Sequence, residues 1–260
     1  MKTIENFKNL IRPLYKKLNF IKNILLKDFL DIEKIILFKK IYPYTMVSYQ
    51  GLSNVYKLSK IIEKNETKGA FVECGVWKGG CAAIMGFVSK KAGSNRKIWL
   101  FDSFEGLPEP TKEDGFMAKE YSKNKIEGRL ETIEKCVGPI KEVNNIFFEI
   151  LKLKKEDIVI KRGWFQNTLP KAKSEIGPIA ILRLDGDWYE STKVCLDNLY
   201  DNVIFGGYII IDDYDYWEGC KKAVDEFLEE RKINVNFIRI CKSGVYFQVR
   251  DEKKNNLKYV

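Results

Sequence analysis

The sequence predicts an α/β protein with a Rossmann-like, seven-stranded, mostly parallel sheet. Five short apolar runs alternate with helix-length segments, which is typical of a parallel sheet covered on both faces. The last two runs are separated only by residues 241–244, too few for a crossover helix, so they predict a C-terminal antiparallel hairpin. The predicted strands are residues 71–74, 98–102, 158–160, 180–185, 208–212, 236–240 and 245–249.

The first 42 residues are interpreted as an N-terminal helical appendage. Apolar residues recur there at three- and four-residue spacing with lysines between them, and Pro43 ends the pattern. We expect this appendage to pack on the main domain or on a second subunit, which favours a homo-oligomer. The alternative is a basic amphipathic helix that lies on a membrane surface.

Residues 43–260 are predicted to form the main domain, and their polar segment 105–130 is interpreted as a mobile lid. That segment is interrupted by glycines and prolines, which break regular structure. They are Gly106, Pro108, Pro110 and Gly115.

Composition excludes several classes of function. The 260-residue chain contains no histidine, so a histidine base, a histidine metal ligand and a Ser-His-Asp triad are impossible. Of the net charge of +9, an excess of six lies in residues 1–42 and the rest of the chain is only mildly basic. No basic patch with interleaved aromatic residues stands out, so no nucleic-acid partner is expected. No apolar run is long enough for a membrane span, and no signal peptide is evident. The six cysteines form no CxxC pair, so we expect reduced thiols in a cytoplasmic protein.

Two motifs at the first strand ends indicate a nucleoside-binding pocket. Residues 71–80 (FVECGVWKGG) lead from a strand through Gly75 into a helix, whose N-terminus favours a carboxylate or phosphate. A purely structural turn is the alternative. Asp102 ends the second strand, where acidic residues of nucleoside-binding folds accept hydrogen bonds from ribose hydroxyls. Trp164, after the third strand, either stacks on an adenine ring or is a buried aromatic at a helix start.

Paired acidic residues follow the fourth and fifth strands and form the most specific motif. Asp185 and Asp187 end the fourth strand, and Asp212 and Asp213 end the fifth. Crowded carboxylates repel each other unless a cation lies among them. A site built only from oxygen ligands predicts Mg²⁺, with Mn²⁺ or Ca²⁺ able to substitute.

The motifs together resemble the macrocin O-methyltransferase family, whose members methylate sugar hydroxyls of macrolide and aminocoumarin antibiotics. The resemblance spans about residues 43–250, and its segments occur in the family's order: VECGVWKGG, WLFDSFEGLPEP, GWFQNTLP, LRLDGDWYEST and GGYIIIDDY. It implies a class I methyltransferase sheet, S-adenosylmethionine as methyl donor, Mg²⁺ as cofactor and a sugar-bearing small-molecule acceptor.

The resemblance also implies roles for individual residues. Asp185, Asp212 and Asp213 match the family's metal ligands, and Asp187 matches the general base. The segment 1–42 and the lid would shape acceptor choice. The implied cofactor pocket comprises Thr45, Met46, Glu73, Gly75, Val76, Trp77, Asp102, Ser103, Phe104, Glu105, Gly106, Trp164 and Asp185.

Other functions are compatible with parts of the pattern. Asp185-Gly-Asp187 is a DxD sequence, which in a metal-dependent glycosyltransferase holds a cation against a nucleotide-sugar diphosphate. The terminal hairpin and the Asp212–Asp213 pair argue against that interpretation. A hydroxylase on the same fold and a non-enzymatic membrane-associated scaffold are further alternatives, and an RNA methyltransferase is less favoured.

Overall fold

The computed structural model describes Lys22 and residues 30–250. Seven strands form a single sheet in this part of the chain. Their bounds are Ala70–Cys74 (β1), Ile98–Asp102 (β2), Ile158–Arg162 (β3), Ile179–Leu184 (β4), Val203–Ile211 (β5), Ile238–Arg239 (β6) and Val245–Gln248 (β7).

Eight α-helices flank or connect these strands within the described residues. Short 3₁₀ turns and a π-helical segment, Asn145–Ile150, complete the connections. The helices are Ile32–Ile41 (α1), Tyr49–Lys64 (α2), Gly80–Ala92 (α3), Gly115–Tyr121 (α4), Ile140–Asn144 (α5), Phe165–Ile176 (α6), Tyr189–Leu199 (α7) and Glu218–Glu230 (α8).

The sheet has the order β3-β2-β1-β4-β5-β7-β6. The first five strands in sequence are parallel, and β7 pairs antiparallel with both β5 and β6. The predicted fold class is therefore confirmed, including the C-terminal hairpin. The chain order reverses between β1 and β4, and ligands of open α/β sheets bind outside the carboxyl ends of the strands at such a point.

Most strand boundaries differ from the prediction by one or two residues, and the differences at β5 and β6 have a structural reason. β5 begins at Val203 rather than at residue 208, because the chain passes through Gly206 and Gly207 without leaving the sheet. Gly206 has a φ of 83°, and the β4–β5 register shifts near it. The two glycines, which would favour a turn, therefore lie in an irregular part of a continuous strand. β6 contains only two residues, because the edge of the sheet offers one pairing partner.

Alternate residues of the central strands face two separate apolar cores. On β1, Phe71 packs into the core shared with α1, α2 and α3, whereas Val72 and Cys74 pack into the core shared with α6, α7 and α8. All six cysteines are free thiols, and four of them are buried. This two-sided burial holds the strand ends, and the loops that follow them, in fixed relative positions.

The predicted appendage can be followed only in its last part. α1 packs on the main domain through Leu37, Phe38 and Ile41, which are fully buried. The prediction of helix for residues 1–21 and 23–29 lies outside the described residues. In the part of the chain from residue 30 to 250, no helix combines the length and apolarity needed to cross a bilayer.

The segment 105–130, expected to be a lid, is folded onto the loops that follow β4 and β5. It contains α4, and its start pairs with Thr132 through an isolated bridge at Pro108. Trp188 Nε1 donates to the Pro108 carbonyl at 2.9 Å, and Asp114 Oδ1 accepts from the Tyr189 amide at 2.6 Å. The sequence did not indicate this helix, because its 7 residues are too few to show a helical period. That the segment moves stays a prediction.

Candidate active site

A cavity of about 840 Å³ lies at the carboxyl ends of β1, β2, β4 and β5. This volume falls in the range of pockets that enclose a cofactor or drug-sized ligand. Most of the residues predicted for the site line this cavity. They are Met46, Gly75, Trp77, Asp102, Ser103, Gly106, Trp164, Asp185, Asp187, Asp212 and Asp213.

Gly75 lets the ends of β1 and β4 meet in the cavity floor. A side chain at this position would collide with the backbone carbonyl of Asp185, and its φ of 89° also favours glycine. The Asp185 amide in turn donates to the Cys74 carbonyl at 2.8 Å. The glycine of the first motif therefore brings the two halves of the site into contact.

Asp102 organises the loops after β1 and β2 through its carboxylate. Oδ2 accepts from the amides of Val76 at 2.7 Å and Trp77 at 2.9 Å, and Oδ1 accepts from the Phe104 amide at 2.6 Å. Trp77 and Phe104 have positive φ values, 49° and 58°, which non-glycine residues adopt only where contacts enforce them. Burial raises the pKa of Asp102, and the three N–H donors oppose that rise.

Five predicted cofactor residues do not line the cavity. Val76 and Phe104 contribute the backbone amides that hold Asp102, and Thr45 Oγ1 accepts from the Val47 amide at 3.0 Å. Glu105 pairs with Arg162 on the surface. Glu73, only 1% exposed, lies beneath the cavity and pairs with Arg183. Trp164 is half-buried and faces the cavity at the start of α6, so it is not a core residue.

Three of the four predicted acidic residues converge on one point. Asp185, Asp187 and Asp213 each present a carboxylate oxygen, and these oxygens lie within 4.8 Å of one another. Asp213 is 9% exposed, and its buried Oδ2 has no hydrogen-bond partner among the described residues. Asp212 lies beside the cluster, where its Oδ1 contacts Arg183 Nη2 at 2.8 Å. The arrangement offers oxygen ligands of the kind that hard divalent cations prefer.

Arg183 is the buried cation beneath this cluster. Its side chain is 1% exposed and reaches three acids, Glu73 at 2.6 Å, Asp185 at 2.8 Å and Asp212 at 2.8 Å. One guanidinium cannot balance three carboxylates together with Asp187 and Asp213. The site is therefore short of positive charge, which is a costly state for groups removed from water.

The pKa values of the acids reflect this imbalance. Burial, followed by the negative charge of Asp185, raises the pKa of Asp187 to about 8. Burial likewise raises the pKa of Asp213 well above its usual range, and the charge on Asp187 adds to the effect. Burial raises the pKa of Asp212 to about 6, although Arg183 opposes the rise. Perturbed acids of this kind, grouped in a cleft, are typical of functional sites.

Sequence reasoning missed several residues that complete the site. Arg183 lies within β4, and the sequence signal for it was a charged residue in an otherwise apolar strand that leads to Asp185. Trp217 Nε1 donates to Asp187 Oδ1 at 2.7 Å, although the two residues are far apart in sequence. The hairpin turn between β6 and β7 supplies a further wall of the cavity, with Ile240, Cys241, Lys242 and Ser243.

Comparison with known proteins shows the family. Residues 39–249 match the model of the macrocin O-methyltransferase (TylF) family. The chain is 36% identical over 206 residues to the demethyldecarbamoylnovobiocin O-methyltransferase of Streptomyces niveus, covering 79% of this chain and 75% of that protein. It is 33% identical to a Streptomyces olivaceus 4′-O-methyltransferase of 8-demethyl-8-(2,3-dimethoxy-α-L-rhamnosyl)-tetracenomycin C, with the same coverage.

A solved structure agrees with these relatives. The O-methyltransferase NovP superposes with a TM-score of 0.68 at 35% identity, covering 80% of this chain and 83% of that one. The expected family and enzyme class are therefore confirmed, and the glycosyltransferase interpretation of Asp185-Gly186-Asp187 is not supported. The chain belongs to the macrocin O-methyltransferase family and is an O-methyltransferase.

Proposed function

We propose that this protein transfers a methyl group from S-adenosylmethionine to a hydroxyl of a sugar or glycosylated small molecule, with Mg²⁺ as cofactor. The observation that carries the proposal is the group of three carboxylate oxygens within 4.8 Å of one another. These acids line the same cavity as Gly75 and Asp102, the residues predicted to bind a nucleoside. Family membership supports the methyl donor, and the sugar-modifying relatives support the acceptor class.

The residues at the ends of β4 and β5 fit a divalent cation. The unpartnered Oδ2 of Asp213 is a buried acceptor that a cation would satisfy. Asp185, Asp212 and Asp213 would hold the ion, as the family resemblance implies. Arg183 pairs with one carboxylate oxygen of Asp185 and one of Asp212. When bound, Mg²⁺ supplies Lewis-acid activation and orientation of acceptor hydroxyls.

The residues at the ends of β1 and β2 fit the methyl donor. Asp102 Oδ1 accepts only the Phe104 amide among the described residues and retains capacity for a further hydrogen bond, which a ribose hydroxyl can donate. Trp77, Met46 and Trp164 line the adjoining walls of the cavity. Glu73 would act only indirectly, because it lies below the cavity and holds Arg183.

We assign the proton transfer of this reaction to Asp187. A sugar hydroxyl is a poor nucleophile at neutral pH, so it must lose its proton as its oxygen bonds to the methyl carbon. The carbon–sulfur bond of the sulfonium breaks as the new carbon–oxygen bond forms, and the hydroxyl proton passes to a carboxylate oxygen of Asp187. A positioned base of this kind contributes about 10²–10⁴-fold.

The proposal extends to the segments that surround the cavity. We infer that the lid, residues 105–130, and the first 42 residues shape acceptor choice. We also infer a homo-oligomer, because Leu30, Ile32 and Ile36 leave an apolar surface on and before α1. Sedimentation of the full chain as a monomer at micromolar concentration would contradict the oligomer.

The test is a methyl-transfer screen with isotopically labelled S-adenosylmethionine, carried out with Mg²⁺ and with EDTA. The acceptor panel includes demethyldecarbamoylnovobiocin, rhamnosylated aromatic polyketides and nucleotide sugars. We expect label in at least one sugar-bearing acceptor with Mg²⁺ and little with EDTA. Transfer only to non-sugar phenols would refute the acceptor class, and equal transfer in EDTA would refute the metal requirement.

A further inference from the structure

An indole N–H connects the loops that follow β4 and β5 at the proposed base. Trp217 Nε1 donates to Asp187 Oδ1 at 2.7 Å, which is a short hydrogen bond of good strength for a carboxylate acceptor. Trp217 is 6% exposed, so water does not compete freely for this donor. Oδ2 of Asp187 accepts no hydrogen bond from the described residues, and Asp187 lines the cavity.

Aromatic packing fixes the Trp217 ring from three sides. Its centroid lies 4.8 Å from that of Trp188, 5.6 Å from that of Tyr121 and 4.9 Å from that of Tyr216. Trp188 is itself held by its hydrogen bond to the Pro108 carbonyl. The Trp217 donor therefore has little freedom to follow a moving carboxylate.

Asp187 needs such a restraint because its own segment offers little. Its φ is 59°, a left-handed conformation, and it lies in the four-residue connection between β4 and α7. An aspartate side chain rotates about two bonds, and rotation of the carboxylate exchanges the oxygen that faces the cavity. The hydrogen bond from Trp217 selects one orientation of that carboxylate.

We propose that Trp217 is a positioning residue for Asp187, holding Oδ1 so that Oδ2 faces the acceptor hydroxyl. This inference rests on the proposed role of Asp187 as general base. Tyr121 belongs to α4 of the lid segment and packs on the same ring, so displacement of the lid would loosen the indole. Trp217 thus ties the orientation of the base to the docked lid.

The principal test is Trp217→Phe, which retains an aromatic ring but removes the N–H donor. Trp99→Phe is the matched control, because Trp99 is equally buried in the other half of the sheet and its Nε1 has no hydrogen-bond partner among residues 30–250. We expect Trp217→Phe to lower kcat by about 10–100-fold while acceptor KM and the Kd of S-adenosylhomocysteine change less than about 2-fold. Trp99→Phe should leave all three near the wild-type values. An unchanged kcat in Trp217→Phe, or a rise in KM alone, would overturn the proposal.

A double-mutant cycle separates positioning from general damage to the fold. If Trp217 acts through Asp187, then Trp217→Phe should cause no further loss of kcat in an Asp187→Ala background. Multiplied losses would overturn the proposal. Should Trp217→Phe fail to fold, β-(3-benzothienyl)alanine at position 217 keeps the size of the indole and replaces its N–H with sulfur, and the same kcat loss is expected.

A measurement without acceptor keeps the inference distinct from the proposed function. The indole ¹H–¹⁵N resonance of Trp217, assigned by its loss in Trp217→Phe, should move on Asp187→Asn substitution, whereas that of Trp99 should not. A static Trp217 resonance would overturn the contact itself. If the Trp217 resonance shifts but the protein transfers no methyl group, the contact is supported and the proposed function is contradicted.

Discussion

The two halves of the cavity hold their acidic residues by different means. At the ends of β1 and β2, three backbone amides satisfy Asp102, and neighbouring loops are wrapped around it. At the ends of β4 and β5, Asp185, Asp187 and Asp213 face each other, and their supports are the side chains of Arg183 and Trp217. The first half is complete without a ligand, whereas the second half lacks positive charge.

This difference indicates that the two halves of the cavity have separate functions. Backbone donors form a rigid cradle that a bound nucleoside can use without rearrangement, because amides of adjacent loops are fixed by the sheet. Uncompensated carboxylates instead store an electrostatic cost that a cation removes on binding. We therefore expect substitutions in the β1–β2 half to affect affinity for the methyl donor, and those in the β4–β5 half to affect metal binding and turnover.

The largest expected effect is the loss of the cation. Asp213→Ala should lower turnover by about 10³-fold, because metal activation of a hydroxyl contributes several kcal/mol. The affinity for S-adenosylhomocysteine, measured by calorimetry, should change little. EDTA should reduce the wild-type rate to a similar level, and an EDTA-resistant wild-type rate would remove the metal from the account.

The next effect is the loss of the proposed base. Asp187→Asn should reduce kcat by at least about 10²-fold, because the amide cannot take the hydroxyl proton. Calorimetric affinity for S-adenosylhomocysteine should stay unchanged, as it should for Asp197→Asn, an exposed acid on α7 that serves as control. Near-normal turnover of Asp187→Asn would assign the base to another group.

A smaller effect is expected in the other half. Asp102→Asn should weaken S-adenosylhomocysteine binding by about 10–100-fold, because its NH₂ group would face a backbone N–H and leave a donor unpaired. Steady-state kinetics should show the loss in KM for the methyl donor more than in kcat. A fall in kcat with an unchanged KM for the methyl donor would contradict the assignment of donor binding to the β1–β2 half.

The last effect comes from a change of conditions rather than of residues, and it concerns the pH dependence of cation binding. The pKa of Asp187 is raised to about 8 and that of Asp213 is raised further, so below pH 8 a cation must displace protons from the cluster. Apparent Mg²⁺ affinity should therefore rise about tenfold per pH unit for each displaced proton. Because these acids bind protons more tightly in the folded state, they add to the free energy of unfolding of the metal-free protein at low pH. This contribution is lost as pH rises through 8. The rise in Tm on adding Mg²⁺ should thus be larger at pH 8 than at pH 6, and a pH-independent shift would contradict this.

The fold and the outline of the site could be predicted because both depend on local patterns. Alternation of strands and helices determines a parallel sheet, and parallel strands bring their carboxyl ends to one edge. Asp102, Asp185, Asp187, Asp212 and Asp213 line one cavity as expected for that reason. The structure also accounts for Gly75, whose motif favoured a ligand but whose side-chain space is occupied by the Asp185 backbone.

The remaining features depend on tertiary contacts that have no local pattern. Glu73 belongs to a motif typical of cofactor sites, yet it lies beneath the cavity and pairs there with Arg183, which is 110 positions away in the sequence. Trp217 lies 30 positions from Asp187 and meets it only because β4 and β5 are adjacent. The α4 helix forms within a polar segment because Asp114 and Trp188 anchor that segment to the site loops.

The most direct test of the central claim is calorimetric titration of Mg²⁺ into the protein saturated with S-adenosylhomocysteine at pH 8. We expect saturable Mg²⁺ binding to the wild type and none to Asp213→Ala, whose affinity for S-adenosylhomocysteine should stay intact. Absence of Mg²⁺ binding to the wild type, or equal binding to Asp213→Ala, would contradict a metal site at the ends of β4 and β5.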